Sequence, residues 1–185
     1  MFTIPKQYSS ITFIQDTSWQ GVFDTWRDLE AWQNSWKQHW EERGFDSWDE
    51  WRKAYIEPYH PESLSWALYK ITDPLQDVPH FYGTPTKGWI EKVYNGETTL
   101  QLKDLVTHPV ITNNEKIIDI KKDFPPETML TGIIFEDKIV LLEGMHRANA
   151  ITTWNPKDAF TGTITIALAE WKHHLIKIGG NYKSK

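Results

Sequence analysis

Residues 139–150 have the sequence IVLLEGMHRANA, and they show most clearly how this chain is organised. The run Ile139–Leu142 is entirely apolar or β-branched, which is typical of a buried strand. Gly144 interrupts that run, and residues 145–154 predict a helix that begins directly after the glycine. A strand, a glycine turn and a helix are therefore expected to follow one another here.

Neighbouring segments extend this unit into a region of mixed α and β structure. Residues 129–135 and 138–142 are two apolar runs separated by two acidic residues, which predicts a β-hairpin. Apolar residues alternate with small polar ones over residues 163–168, which predicts a last strand. Residues 114–122 predict a helix. We therefore expect an α+β fold with a small mixed sheet.

The first third of the chain is rich in tryptophan: seven of the eleven Trp residues lie between residues 19 and 51. Their spacings of about three and four predict helices over residues 21–43 and 47–57. Gly44 is suited to a left-handed C-cap, and Ser47–Glu50 matches a capping box. The expected structure is a helical hairpin with aromatic facing surfaces, which precedes the mixed sheet.

These patterns divide the chain into three parts. Residues 1–90 are expected to form a Trp-rich helical extension and connector, with a short helix over residues 64–71. Residues 91–171 hold the mixed sheet, with a further strand over residues 98–102. Residues 172–185 form a basic tail that is expected to be loose.

Composition excludes several classes of function. The chain has 185 residues, a formal net charge of −5 and no cysteine. The absence of cysteine excludes disulfides, thiolate catalysis and Cys-ligated metal centres. The acidic balance makes nucleic acid an unfavourable partner. Residues 1–10 do not resemble a signal peptide, and no apolar stretch reaches membrane-spanning length, so we expect a cytoplasmic protein without a membrane partner.

The strongest candidate for chemistry is the turn between the strand and the helix at Gly144. A helix N-terminus presents unpaired backbone N–H groups and the positive end of a dipole, and glycine permits close approach of a phosphate. Arg147 adds a forked donor for phosphate oxygens, and His146 can donate a hydrogen bond or move a proton. The alternative is that Arg147 and Glu143 form an ordinary surface ion pair worth about 0.5 kcal/mol.

The segment from Glu143 to Arg147, followed by Ala148-Asn149-Ala150, resembles the Gly-x-His-Arg motif of the ParB/sulfiredoxin superfamily. The resemblance covers roughly residues 98–170 and includes the hairpin before the motif. It implies a compact α+β fold whose loop binds the phosphates of ATP or a related nucleotide, together with Mg²⁺. By this resemblance the nucleotide would be bound by Gly144, Met145, His146, Arg147 and Asn149.

The branches of this superfamily differ in the chemistry that they imply. In sulfiredoxins the residue between Gly and His is the catalytic cysteine; here it is Met145, which excludes that route. Free-serine kinases carry an acidic residue before the glycine, and Glu143 stands there. This similarity gives Glu143 and His146 as candidate catalytic residues, and the metal ligands remain open. ParB proteins add a DNA-binding helical domain, for which nothing obvious follows residue 170.

The main hypothesis is a nucleotide-binding protein, with phosphotransferase or ATPase activity as its extension. The alternative is a non-catalytic module that binds a protein partner through the Trp-rich helices, where Trp is favoured at interfaces. Two other roles are considered for the Trp residues: packing in the core, or a surface on which a ligand or nucleobase stacks. A ParB-like nuclease or DNA-binding protein is a third hypothesis. Residues 83–88 are expected to form either a plain turn or a loop that supplies Lys87 to the phosphate-binding site.

Overall fold

The computed structural model describes residues 2–183, apart from the side chain of residue 35, and it has the expected α+β fold. One mixed sheet of five strands is present in this part of the chain. Two separate hydrophobic clusters pack against the sheet, one on each face. The sheet is therefore the middle layer between two groups of helices.

The five strands are arranged in the order β1-β2-β5-β3-β4. Their bounds are Ile11–Thr17 for β1, Trp66–Ile71 for β2, Glu127–Phe135 for β3, Lys138–Glu143 for β4 and Thr163–Trp171 for β5. Strands β3 and β5 are parallel, and the other neighbouring pairs are antiparallel. This topology confirms the predicted hairpin, which is β3–β4, and the predicted last strand.

Eight α-helices connect and cover these strands within the described residues. They are α1 (Trp19–Glu30), α2 (Asn34–Glu41), α3 (Trp48–Ile56), α4 (Pro74–Asp77), α5 (Lys87–Lys92), α6 (Pro109–Thr112), α7 (Glu115–Lys122) and α8 (Met145–Thr152). Helix α7 confirms the prediction for residues 114–122, with the Asn114 side chain accepting a hydrogen bond from the Ile117 N–H. Helix α8 begins directly after Gly144, as expected.

Alternation along β3 explains why the sheet has two apolar faces. Met129 and Ile133 belong to the cluster that contains α1 and α3, whereas Leu130 and Ile134 belong to the cluster that contains α7 and α8.

Strands β1 and β2, from the first 90 residues, lie in the same sheet as the strands from residues 91–171.

The tryptophans of the N-terminal helices form a buried aromatic layer. Trp26 is fully buried, and its ring lies 5.3 Å from that of Trp19 in an edge-to-face arrangement. Trp48 and Trp51 are also buried, while Trp32 is 75% exposed. Packing against one face of the sheet therefore accounts for most of the Trp-rich segment.

The prediction of one helix over residues 21–43 was wrong, because two helices occupy this range. Helix α1 ends at Glu30, and α2 begins at Asn34. The chain turns between them, where the Gln33 side chain donates a hydrogen bond to the Leu29 carbonyl. The turn allows Trp36 to pack against Trp51, with ring centroids 5.4 Å apart. Helix α3 agrees well with the predicted helix over 47–57.

The prediction of a helix over residues 64–71 was also wrong, since this segment contains β2. The strand lies between β1 and β5 in the sheet, and a hydrophobic cluster packs against each of its faces. Trp66, Ala67, Tyr69 and Ile71 are all buried. A strand buried on both faces has a nearly continuous apolar sequence, and such a run cannot be distinguished from a buried helix by periodicity.

Two further expectations require correction. Residues 98–102 do not form a strand: Gln101 makes an isolated bridge to Tyr82, and a 3₁₀ turn begins at Leu102. The tail is not loose as far as residue 183, because Ile178 is buried and the Lys183 N–H donates to the Arg43 carbonyl. Buried apolar surface in the tail outweighs its basic composition.

Among residues 2–183, every helix is too short or too polar to cross a lipid bilayer.

Candidate functional site

The turn between β4 and α8 has a backbone conformation that only glycine adopts easily. Gly144 has φ 96° and ψ 15°, in the left-handed region. A Cβ atom at this position would also lie 2.5 Å from Leu130 Cδ2, which belongs to the buried core. Both constraints require glycine. The turn at this single residue connects β4 to α8 without an intervening loop.

Helix α8 begins without a side-chain cap. Its first backbone hydrogen bond runs from the Ala148 N–H to the Gly144 carbonyl at 2.8 Å. The N–H groups of Met145, His146 and Arg147 therefore have no acceptor inside the helix. Such a terminus favours a bound anion, because the unpaired N–H groups and the helix dipole act together.

This turn lies at the wall of a cavity of about 580 Å³. Helices α2 and α3 form one side of the cavity, residues 84–93 form another, and residues 142–146 form a third. Gly179, Gly180 and Tyr182 from the C-terminal tail also line it, as do Glu30, Val110 and Asn114. The volume is in the range of cavities that bind small molecules and cofactors.

Basic side chains are concentrated at this cavity although the whole chain has a net charge of −5. Arg43, Lys87 and Lys92 line it, and both lysines are exposed to solvent. The acidic Glu91 lies 3.9 Å from the Lys177 amino group, which partly compensates its charge. With Glu30, Glu91 and Glu143 included, the cavity lining has a formal charge of +1, which favours an anionic ligand.

Aromatic rings form much of the remaining wall. Trp36, Trp51 and Trp89 line the cavity together with Tyr55. The Trp89 ring lies 5.9 Å from the imidazole of His146, at an angle of 58°. Flat apolar surfaces beside a few polar groups are typical of sites for ligands that contain an aromatic ring.

The carboxylate of Glu143, the last residue of β4, is buried and paired with Arg147. Arg147 Nη2 donates to Glu143 Oε2 at 2.5 Å, and both side chains are largely shielded from solvent. Burial raises the pKa of Glu143, the Arg147 guanidinium opposes that rise, and the neighbouring Glu30 carboxyl adds to it. The pair is therefore not the solvated surface ion pair of the alternative interpretation.

A second buried ion pair comes from the Trp-rich helices. Arg52 Nε donates to Glu30 Oε2 at 2.8 Å, and Glu30 and Arg52 are each 6% exposed. The Arg52 guanidinium lies 4.7 Å from the Trp51 ring centroid and 5.0 Å from that of Tyr55. Both members of this pair line the cavity, so the Trp-rich helices contribute charge as well as apolar surface to the site.

His146 is neutral at physiological pH. Burial, together with the positive charges of Lys116 and Arg147, lowers the pKa of His146 to about 4. A neutral imidazole can donate one hydrogen bond and accept another. At this position beside Glu143 it can therefore donate a hydrogen bond to a polar ligand group or accept one from it.

Several buried polar atoms around the cavity have no hydrogen-bond partner within the described protein. Thr84 is 1% exposed and lines the cavity, yet its Oγ1 makes no hydrogen bond. The Trp36 Nε1 atom, also at the cavity, is unpaired as well. An unpaired buried polar atom destabilises a protein by roughly 1–3 kcal/mol, so these atoms indicate where a ligand would form bonds.

The structure brings some of the predicted site residues into the cavity and not others. Glu143, Gly144, Met145 and His146 line it. Met145 is 6% exposed, and its Sδ accepts a hydrogen bond from the Thr84 N–H at 3.2 Å. Arg147 and Asn149 lie outside the lining. Asn149 is fully buried, and its side chain donates to the Met145 carbonyl within α8.

Sequence reasoning missed Glu30, Arg52, Thr84 and Trp89 as residues of the site. The first two did leave a signal, because Glu30 follows Trp26 by four residues and Arg52 follows Trp48 by four. That spacing places each charged residue on the aromatic face of its helix, where a charge is rarely buried without a role or a partner. Lys87, the lysine of residues 83–88, was considered and does line the cavity.

The described side chains do not fit a resident Mg²⁺. Residues 2–183 contain no group of three or more His, Asp or Glu side chains placed to hold a metal ion. The Oε2 atoms of Glu30 and Glu143 already accept hydrogen bonds from arginines. Mg²⁺ usually needs carboxylate oxygens and substrate phosphates as ligands. The Mg²⁺ implied by the resemblance therefore stays a prediction, as an ion that would arrive with a nucleotide.

No protein-family model, no curated protein and no solved structure matches this chain significantly. The resemblance of residues 98–170 to the ParB/sulfiredoxin superfamily stays a prediction that rests on the motif.

Proposed function

We propose that this chain binds a nucleotide in the cavity, with the phosphate groups at the turn from Gly144 to Arg147. The observation that carries the proposal is the uncapped N-terminus of α8, whose first residues line the cavity. Three backbone N–H groups without intrahelical acceptors can bind phosphate oxygens there. The left-handed turn at Gly144 places that terminus directly after β4, at the cavity wall.

The remaining features of the cavity favour the same ligand class. Lys87, Lys92 and Arg43 supply positive charge for phosphates that extend toward the rim. Trp36 and Trp89 supply flat surfaces against which a nucleobase can pack. The unpaired Thr84 Oγ1 and the neutral His146 supply hydrogen bonds for ribose or base.

Phosphoryl transfer or ATP hydrolysis is the extension of this proposal that the resemblance to free-serine kinases suggests. Glu143 has a raised pKa and borders the cavity beside neutral His146. Glu143 can accept a proton at that place, which is the role that a nucleophilic hydroxyl or water requires, and His146 can hold the reacting group by a hydrogen bond.

The two other hypotheses have less support from the geometry. A protein-interaction module needs exposed aromatic rings, and Trp26, Trp48 and Trp51 are buried while Trp32 is exposed. A DNA-binding protein needs a broad basic surface, which a net charge of −5 opposes.

Calorimetric titration of ATP into the protein, with and without Mg²⁺, tests the proposal. We expect saturable binding by the wild type, and a loss of affinity of about tenfold in the double variant Lys87→Ala and Lys92→Ala. The matched control is Lys157→Ala, because Lys157 is an exposed lysine that does not line the cavity. Absence of ATP binding by the wild type under both conditions would refute the proposal.

A further inference from the structure

The carboxylates that line the cavity are already paired with cations of the chain itself. Three carboxylates line it, each with one cationic partner: Glu30 with Arg52, Glu143 with Arg147, and Glu91 with Lys177. The first two pairs are shielded from solvent, and their N–O distances are 2.8 Å and 2.5 Å. The third pair is exposed, with 3.9 Å between the carboxylate oxygen and the amino nitrogen. The negative charges of the cavity are therefore compensated before a ligand arrives.

Three cations of the lining have no such compensation. Arg43, Lys87 and Lys92 line the cavity, and none of them has a carboxylate oxygen within 4.0 Å in the part of the chain that the structure describes. Arg43 Nη1 donates to the His39 carbonyl at 2.8 Å, and its guanidinium lies 5.8 Å from the Tyr182 ring centroid. These contacts hold Arg43 at the cavity without cancelling its charge.

A fourth cation lies beside the cavity, on α7. The Lys116 amino group lies 4.3 Å from the ring centroid of Trp36, which lines the cavity. Among residues 2–183 it also has no carboxylate oxygen within 4.0 Å. Its charge contributes to the lowered pKa of His146 in the first turn of α8. Lys116 and the helix dipole therefore add to the same positive potential.

This arrangement of charges is unfavourable for Mg²⁺. In nucleotide sites Mg²⁺ is usually held by one or two carboxylates together with the phosphates of the substrate. Here Glu30 and Glu143 each have a guanidinium within hydrogen-bonding distance, and that positive charge opposes the approach of a divalent cation. Displacement of either arginine would leave a largely buried cation without its partner, which is strongly destabilising.

The same arrangement favours phosphate groups that carry no metal ion. Lysine and arginine side chains bind phosphate oxygens directly, and so do the N–H groups at the beginning of α8. A Mg²⁺ ion on the phosphate chain would occupy some of these oxygens and cancel part of their negative charge. Attraction to the uncompensated cations would then be weaker.

We propose that the cavity binds the phosphate chain of its ligand without Mg²⁺, and that Arg43, Lys87 and Lys92 neutralise the phosphates instead. This inference rests on the proposed function, since it specifies the form of the ligand at the same phosphate site. It differs from what the resemblance implies, because Mg²⁺ then weakens nucleotide binding.

The test is calorimetric titration at constant ionic strength with ATP in metal-depleted buffer and with ATP saturated by Mg²⁺. The wild type is expected to bind free ATP about tenfold more tightly than MgATP. Because the coupling is reciprocal, addition of the protein to MgATP is expected to release Mg²⁺, which a fluorescent Mg²⁺ indicator detects. Equal or tighter binding of MgATP would overturn the inference and leave nucleotide binding intact.

Variants at the rim test whether these cations cause the preference. The double variant Lys87→Ala and Lys92→Ala is expected to lose more affinity for free ATP than for MgATP, so that the preference falls to about threefold or less. The double variant Lys87→Arg and Lys92→Arg keeps both charges and is expected to retain the wild-type preference. Lys157→Ala is expected to retain it as well, because Lys157 is exposed and outside the lining. Full preference for free ATP in the double alanine variant would overturn the role given to the lysines.

Inorganic tripolyphosphate separates this inference from nucleotide binding, because it has the phosphate chain of ATP without the nucleoside. It is expected to bind to the wild type and to bind more weakly when Mg²⁺ is added. That result without any binding of ATP would overturn the proposed function and support the inference. Absence of binding by both free ATP and free tripolyphosphate would overturn the two together.

Discussion

The Trp-rich layer on one face of the sheet and the turn before α8 differ in the state of their buried polar atoms. In the layer, Trp26 Nε1 donates to Thr131 Oγ1 at 2.8 Å, and Tyr55 OH donates to the Leu142 carbonyl at 2.9 Å. Trp48 Nε1 and Trp36 Nε1 are exceptions, since neither has a partner within the described residues. Around the turn, Thr84 Oγ1 is unpaired, and α8 has no cap.

This difference indicates a division of roles between the two regions. A layer with mostly paired polar atoms and buried rings stabilises the fold by itself. A region that leaves donors and acceptors unpaired beside a cavity loses stability unless a ligand binds there. The Trp-rich helices take part in both roles, because they also supply Glu30 and Arg52 to the cavity.

The largest effect on stability is expected from Trp26→Ala. This ring is fully buried, and its removal leaves a cavity and an unpaired Thr131 hydroxyl. The free energy of unfolding is expected to fall by about 3–5 kcal/mol, measured by denaturant titration. Trp32→Ala is the control, because Trp32 is 75% exposed and a change within about 0.5 kcal/mol is expected. Equal losses in the two variants would contradict the role given to the layer.

A smaller loss, of about 2–4 kcal/mol, is expected from Gly144→Ala. The new methyl group would meet Leu130 Cδ2 at 2.5 Å, and alanine is strained at φ 96°. Gly88→Ala is the control, because a Cβ atom there has no neighbour within 4 Å and the residue lies in α5. That variant is expected to be about 0.5–1 kcal/mol more stable than the wild type. The same denaturant titration measures both, and full stability of Gly144→Ala would show that the turn does not require glycine.

The smallest effects on stability are expected from two threonine variants, one in each region, and they are expected to differ in direction. Thr131→Val leaves Trp26 Nε1 without an acceptor and is expected to cost about 1–3 kcal/mol of stability. Thr84→Val removes a hydroxyl that has no partner, so stability is expected to stay constant or rise by up to about 1 kcal/mol. Thermal unfolding of both variants measures this difference. An equal loss of stability in Thr84→Val and Thr131→Val would contradict the proposed difference between the two regions.

Much of the fold could be predicted from local sequence. The hairpin β3–β4, the glycine turn, α8 and β5 all follow from short patterns, and each lies where the pattern placed it. The failures came from tertiary context. Strand β2 is largely apolar on both faces because a hydrophobic cluster packs against each face. The break between α1 and α2 follows from the packing of Trp36 on Trp51.

The candidate site was predictable only where its residues are adjacent in sequence. Glu143, Gly144, Met145 and His146 belong to one motif and lie together at the cavity. Glu30 and Arg52 reach the same cavity from more than 90 residues away, through the packing of the Trp-rich helices on the sheet. Their position on aromatic helix faces indicated burial, but the sequence did not indicate which part of the chain they would meet.

Phosphate binding at the N-terminus of α8 is the step on which the proposed function depends. The most direct test is a titration of ATP followed by NMR through the backbone amide signals of Met145, His146 and Arg147. If phosphate binds there, these three signals are expected to move together and to saturate with the dissociation constant found by calorimetry. ATP binding that shifts signals elsewhere and leaves these three unchanged would contradict it.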